Sequence, residues 1–170
     1  TEHHIETSGF DKMGHEALRI HSAACKLSKM DRRALADHIQ RADAIGTGAY
    51  AMLARLLSKK LLYASVLKAD EPCGAIAKAG SRVTYAIDDL SSQEGRLFHG
   101  NAYALGQGGI PIASLLGATL IGMSSGSDAP FLQADGSFHR VRLISVNHQG
   151  TPFYCEAQEG REAFRRTAAD

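Results

Sequence analysis

The chain has 170 residues, 19 basic against 18 acidic side chains, a formal net charge of +1 and no Trp. That length suits one domain with room for a real core, and 44% hydrophobic with 22% charged content excludes wholesale disorder. No apolar run nears the ~18 residues of a membrane span, and near-neutrality argues against a generic nucleic-acid binder.

The start of the chain, Thr1-Glu2-His3-His4, is polar and lacks the apolar stretch of a signal peptide. A cytoplasmic location is expected. Residues 1–25 are expected to be an N-terminal extension and are a candidate for disorder. Cys25, Cys73 and Cys155 are odd in number, far apart and form no C-x-x-C. They are expected to act as small buried hydrophobes rather than as a zinc site or disulfide framework.

Between Gly14 and Gly74 the only glycines are Gly46 and Gly48, and no proline precedes Pro72. Such a stretch reads as two helices and a turn. Ser28-Lys29-Met30-Asp31 has capping-box spacing, with Asp where Glu is usual. Leu35, Ile39 and Ala42 then form an apolar stripe, which ends at Gly46-Thr47-Gly48. A second helix, expected over 49–68, aligns Leu53, Leu56, Leu57, Leu61 and Ala64, with Arg55, Lys59 and Lys60 toward the rim. Residues 26–70 are therefore expected to form an antiparallel helical hairpin, either packed into a core or projecting as a short coiled coil.

Beyond Asp70-Glu71-Pro72 the period changes. Arg82–Ile87 alternates as a strand and Gly95–Gly100 reads as its return. Residues 114–122 allow a helix of two turns at most. Phe131–Gln133, Asp135-Gly136 and Ser137–Asn147 read as a second β-hairpin. Residues 71–148 are expected to be an antiparallel sheet domain with one short helix, giving an α+β class, and 149–170 a C-terminal extension. Charge divides the same way: net +3 through Asp70 and −2 thereafter.

Chemical motifs are sparse. The eight histidines show no ligand spacing such as H-E-x-x-H, and no G-x-S-x-G elbow occurs. Gly106-Gln107-Gly108-Gly109 lacks the Lys-Ser/Thr of a phosphate loop and runs into Ile110-Pro111, so it reads as a mobile turn. Acidic neighbours such as Asp88-Asp89 read as solvated. No metal, cofactor or catalytic residue is expected, and the chain does not read as an enzyme.

Several segments, in order, carry a family likeness. Leu27-Ser28-Lys29-Met30-Asp31-Arg32-Arg33-Ala34-Leu35 and Leu56-Leu57-Ser58-Lys59-Lys60-Leu61-Leu62-Tyr63-Ala64 resemble the helices of the Gre transcript-cleavage factor family. The resemblance is nearest to its short-fingered branch, the regulator of nucleoside diphosphate kinase. Ala79-Gly80-Ser81-Arg82-Val83-Thr84-Tyr85 resembles the G/N-S-R-V opening of the carboxy-terminal domain. Residues 110–126, Ile110-Pro111-Ile112 through Ser125-Gly126, resemble the signature I-S-x-x-S-P-x-G-x-A-L-x-G-x-x-x-G-D. The signature Pro is here Leu115, and Ser127 stands where Asp is expected.

The resemblance implies an FKBP-like sheet domain that docks on core RNA polymerase near its secondary channel, with the helical finger at the channel. Nucleic acid would be met only through the polymerase. The implied docking residues are Leu115, Leu116, Met123, Pro130 and Phe131. The finger tip would present Asp43, Ile45, Thr47 and Tyr50, with Arg41, Arg55 and Lys59 as a basic rim. Cleavage-competent members place two acids at the tip to hold Mg²⁺ and position water; here the tip offers Asp43 alone, so no cleavage stimulation is expected. Two other readings compete. One is a small-molecule or peptidyl-prolyl pocket lined by Tyr85, Phe98, Tyr103 and Phe131. The other is an adaptor that dimerises through the leucine face of the hairpin. The sequence leaves the oligomeric state open.

Overall fold

The computed structural model describes residues 14–68, 75–100 and 108–148. Cys73, Cys155, Pro72, Tyr103, Gly106, Gln107 and the C-terminal extension lie outside the described residues.

Residues 14–23 are helical (α1). This departs from the expected disordered extension. Leu18 is buried in the main core, and an added Cβ on Gly14 would come within 2.8 Å of the Phe138 ring, so α1 packs on the rest of the chain. Next, β1 (Lys26–Leu27) pairs in parallel with β2 (Ser65–Val66) as a separate two-stranded sheet.

Helix α2 (Lys29–Ile45) starts where the Ser28 hydroxyl accepts the Asp31 N–H at 3.1 Å, one half of the expected capping box. The other half is missing, because the Asp31 carboxylate turns inward. The helix ends at Gly46, whose positive φ of 71° lets its N–H reach the Ala42 carbonyl. Helix α3 (Ala49–Tyr63) follows Gly48 and packs on α2. It stops short of the expected residue 68. Ser65 donates its N–H to the Cys25 carbonyl and Leu67 to that of Leu27, which draws the chain into β2.

The second sheet has the order β5-β4-β3-β7-β6, from β3 (Arg82–Ile87), β4 (Gln93–Phe98), β5 (Gly109–Pro111), β6 (Asp128–Leu132) and β7 (Phe138–Asn147). Strands β3, β4, β6 and β7 pair antiparallel as expected, but β5 adds to β4 in parallel, so the sheet is mixed. Gly109, read as part of a mobile turn, thus belongs to a strand. Three residues are too few to show a period. Helix α4 (Leu115–Leu120) is capped by Ser114, whose hydroxyl accepts from the Gly117 N–H at 3.1 Å and donates to the Pro111 carbonyl at 2.5 Å.

One hydrophobic cluster joins Leu35, Leu53, Leu56 and Leu57 of the helices to Val83, Leu97, Val141 and Leu143 of the sheet and Leu120 of α4. The helix pair and the sheet therefore share a core. The leucine face proposed for dimerisation is spent inside the chain, with Leu56 and Leu57 fully buried.

Candidate functional site

The turn between α2 and α3 exposes Asp43, Ile45, Thr47 and Tyr50, as well as Arg41 and Arg55 nearby. Ile45 and Tyr50 are 52% and 48% exposed. Lys59, expected on the same basic rim, is instead buried. Its Nζ lies 3.0 Å from His15 Nε2 of α1, and burial, with Arg55 nearby, lowers its pKa. The helix that covers it was not expected from sequence.

The docking patch also changes. Met123 and Phe131 are 2% and 8% exposed and fill the core, so they present no surface. Leu115, Leu116 and Pro130 are half-buried and remain at the periphery. In a short helix, small residues allow close packing, and the signature's apolar positions are then consumed by that packing. Tyr85 and Phe98, named for a ligand pocket with Phe131, are buried too. The Tyr85 hydroxyl donates to Gln93 Oε1 at 3.2 Å.

Two polar clusters escaped the sequence reading. In the first, His99 Nε2 lies 2.8 Å from Asp31 Oδ1, His99 Nδ1 lies 3.0 Å from His38 Nε2, and His38 Nδ1 lies 3.0 Å from Arg41 Nη2. The Arg41 guanidinium can only donate. His38 Nδ1 therefore accepts and its Nε2–H donates to His99, whose Nε2–H in turn donates to Asp31. His38 is neutral in this arrangement. Burial first, then His99 and the Arg41 charge, push the His38 pKa down to about 4, against the opposing charge of Asp37. Asp31 Oδ2 also accepts the Ala79 N–H at 3.3 Å. Helix α2 is thus tied to the sheet at two levels. Asp31, His38 and Arg41 recur at i, i+7 and i+10, one helix face, which was the available signal.

In the second cluster, Lys60 is fully buried and its Nζ donates to the carbonyls of Thr119 at 2.6 Å and Ile121 at 2.8 Å, the C-terminal end of α4. A cation there also suits the helix dipole. Burial lowers the Lys60 pKa, while the Cys25 thiol, hydrogen-bonded to it, opposes that shift. His21, buried beside Cys25, has its pKa lowered to about 2, chiefly by burial and then by the Lys60 charge. Lys60→Ala is expected to cost about 3 kcal/mol or more, since it leaves a cavity and two carbonyls without donors. Lys60→Met keeps the volume and should cost less. Urea denaturation of both variants checks this; an alanine variant as stable as the parent contradicts the placement.

A further contact lies nearer the tip. The Met52 methyl lies beside Gly136 of the β6–β7 turn, where an added Cβ would meet it at 3.9 Å. From His38 to its end at Ile45, helix α2 runs about 10 Å at ~1.5 Å per residue.

No family model and no curated protein matches the chain. Among solved structures it is similar to the prokaryotic transcription elongation factor GreA/GreB from Nitrosomonas europaea, at 18% identity and a TM-score of 0.52, over 72% of this chain and 98% of that one. GreA factor homolog 1 of Thermus thermophilus aligns over 72% of this chain and 98% of its own, at 17% identity and a TM-score of 0.36. Its Thermus aquaticus counterpart aligns over 72% and 97%, at 17% identity and 0.38. The likeness to the Nitrosomonas europaea protein shows that this chain has a Gre-like α+β fold.

Proposed function

We propose that the chain is a non-catalytic RNA polymerase-binding regulator of transcription, acting near the secondary channel without stimulating transcript cleavage. The observation that carries the reading is the fold: it matches, over nearly the whole of that chain, a protein described as a transcription elongation factor. The ordered sequence segments that resemble the Gre family, and within it the short-fingered branch with an FKBP-like domain, agree with it. The tip of the α2–α3 turn would face the channel, with Arg41 and Arg55 steering encounter with negative potential. Leu115, Leu116 and Pro130 would contact the polymerase surface.

Two features support the absence of cleavage. Asp43 is the one carboxylate of the tip segment 43–50, whereas recruiting a hydrated Mg²⁺ and orienting a water calls for two. The part of α2 beyond His38, which hydrogen-bonds to His99, is also short, about 10 Å at ~1.5 Å per residue. Backtracked elongation complexes incubated with the pure protein are expected to show no shortened RNA above background. Rapid appearance of shortened RNA, lost in Asp43→Asn, is the contrary result.

A further inference from the structure

We propose that the outer face of the larger sheet, centred on Arg82 and Arg96, binds the phosphate groups of a nucleic-acid backbone. The inference rests on strand register and charge, independently of the polymerase reading.

Arg82 of β3 stands directly opposite Arg96 of β4. The residues that follow them, Val83 and Leu97, are fully buried, so strand alternation turns both arginines to the outer face. Arg82 is exposed and Arg96 half-exposed. Like charges placed directly opposite in an antiparallel pair repel.

The other arginines of this sheet are matched. Arg140 pairs with Asp89, and Arg142 Nε lies 2.9 Å from Asp128 Oδ1. Among the described residues the side chains of Arg82 and Arg96 have no hydrogen bond or ion pair. Two guanidinium forks therefore share a face, roughly 5 Å apart at their Cα atoms, and among the described residues neither is bonded to a carboxylate. Glu94 faces Thr84 in the next row, and the Thr84 hydroxyl donates to it at 3.4 Å.

Neutral polar groups flank the pair on the β7 side, while Glu94 brings one carboxylate to the β4 side, leaving two positive charges against one on this face. Asn147 of β7 is opposite Arg82, and Ser145 is opposite Thr84. Arginine with Ser, Thr and Asn is the donor set that holds phosphate oxygens without reading base sequence. A protein partner would call for aromatic or apolar anchors. Here Phe98, on the Arg96 face of β4, is buried, and Ile144, beside the irregular pairing at Thr84/Tyr85, is the one large apolar side chain of β3, β4 or β7 that is well exposed. The face thus favours a polyanion. The near-zero net charge of the whole chain does not oppose this, because the contact is local.

The test is fluorescence anisotropy of a labelled single-stranded DNA oligonucleotide with the full chain, over a salt series. Binding is expected at ~50 mM salt and should weaken as salt rises. Arg82→Gln/Arg96→Gln should weaken it about tenfold and reduce the log–log salt slope by about 1–2. Arg96→Glu should abolish binding while raising the melting temperature, because it gives Arg82 a partner; a structural role for the arginines would not separate these two readouts. Absence of salt-dependent binding by the parent overturns the proposal. So does a double variant that binds like the parent, or polyglutamate displacing the oligonucleotide as well as unlabelled DNA does.

Discussion

Gly117→Ala is expected to destabilise the protein by about 3 kcal/mol or more, the upper range for overpacking a core. An added Cβ would lie 2.0 Å from the Pro111 carbonyl oxygen, 2.7 Å from its carbon and 2.8 Å from Ile112 Cα. All three are backbone atoms, so no side-chain rotation relieves the clash. Helix α4 would have to lift from the end of β5, loosening Ile112, Ala118 and Leu120, each fully buried. The Ser114–Pro111 hydrogen bond that fixes the entry to α4 would be lost with it. Gly126, in the same family-like segment, makes the contrast. Its φ of +86° strains any other residue, yet an added Cβ there meets nothing within 4 Å. Gly126→Ala should therefore cost only about 1–2 kcal/mol. Denaturant midpoints of the two variants measure the difference, and equal losses would contradict the close approach at Gly117.

Acid is expected to destabilise the fold steeply below about pH 6.5. His38 and His21 have pKa values lowered to about 4 and about 2, mainly by burial. Both are neutral in the folded chain, while in the unfolded chain each takes a proton near its ordinary value of about 6.5. Between pH 6.5 and 4 the unfolded state thus binds more protons, and stability falls as pH falls. Each histidine accounts for up to about 3 kcal/mol by pH 4 at ~1.4 kcal/mol per pH unit. The His38 contribution stops growing near pH 4, whereas that of His21 continues toward pH 2. Together they are comparable to the ~5–15 kcal/mol of a typical domain. Urea titrations at pH 7, 5.5 and 4.5 should show this slope, and His38→Gln should flatten it by about half. The same variant will be less stable at pH 7, since it interrupts the chain from Arg41 to Asp31. Identical slopes in parent and variant would contradict a neutral, buried His38.

Much of the fold was legible because local chemistry and packing agree. Ser28 and Gly46 are caps both in sequence and in structure, and the short helix expected within 114–122 is present as α4. The alternation of Arg82–Ile87 is the pattern of a strand buried on one face. What escaped has identifiable causes. Helix α1 buries few large apolar side chains, among them Leu18, and its remaining buried groups, such as His21 and Ser22, carry no apolar signal. Strand β5 is shorter than one repeat of any pattern. Lys60 was assigned to the rim by its charge, although Leu53, Leu57, Lys60 and Ala64 follow helical spacing and share the buried stripe. Its desolvation is offset by two carbonyls from α4, some sixty residues away, which no local reading reveals. His38 is the parallel case on α2: the stripe runs through Leu35, His38 and Ala42, with Ile39 only partly buried. The candidate site divides likewise. The tip residues Asp43, Ile45, Thr47 and Tyr50 are exposed at the far end of the helix pair, whereas Met123 and Phe131 are drawn into the core by the same apolar character that suggested a docking surface.

The proposed partner is tested most directly by size-exclusion chromatography of the full chain with bacterial core RNA polymerase at modest salt. The account predicts that the protein elutes with the polymerase. It also predicts that a charge at Leu116 (Leu116→Asp), whose side chain is only partly buried, weakens co-elution while the variant alone remains folded by circular dichroism. Separate elution of the folded parent and the polymerase, at micromolar concentrations of both, would contradict it.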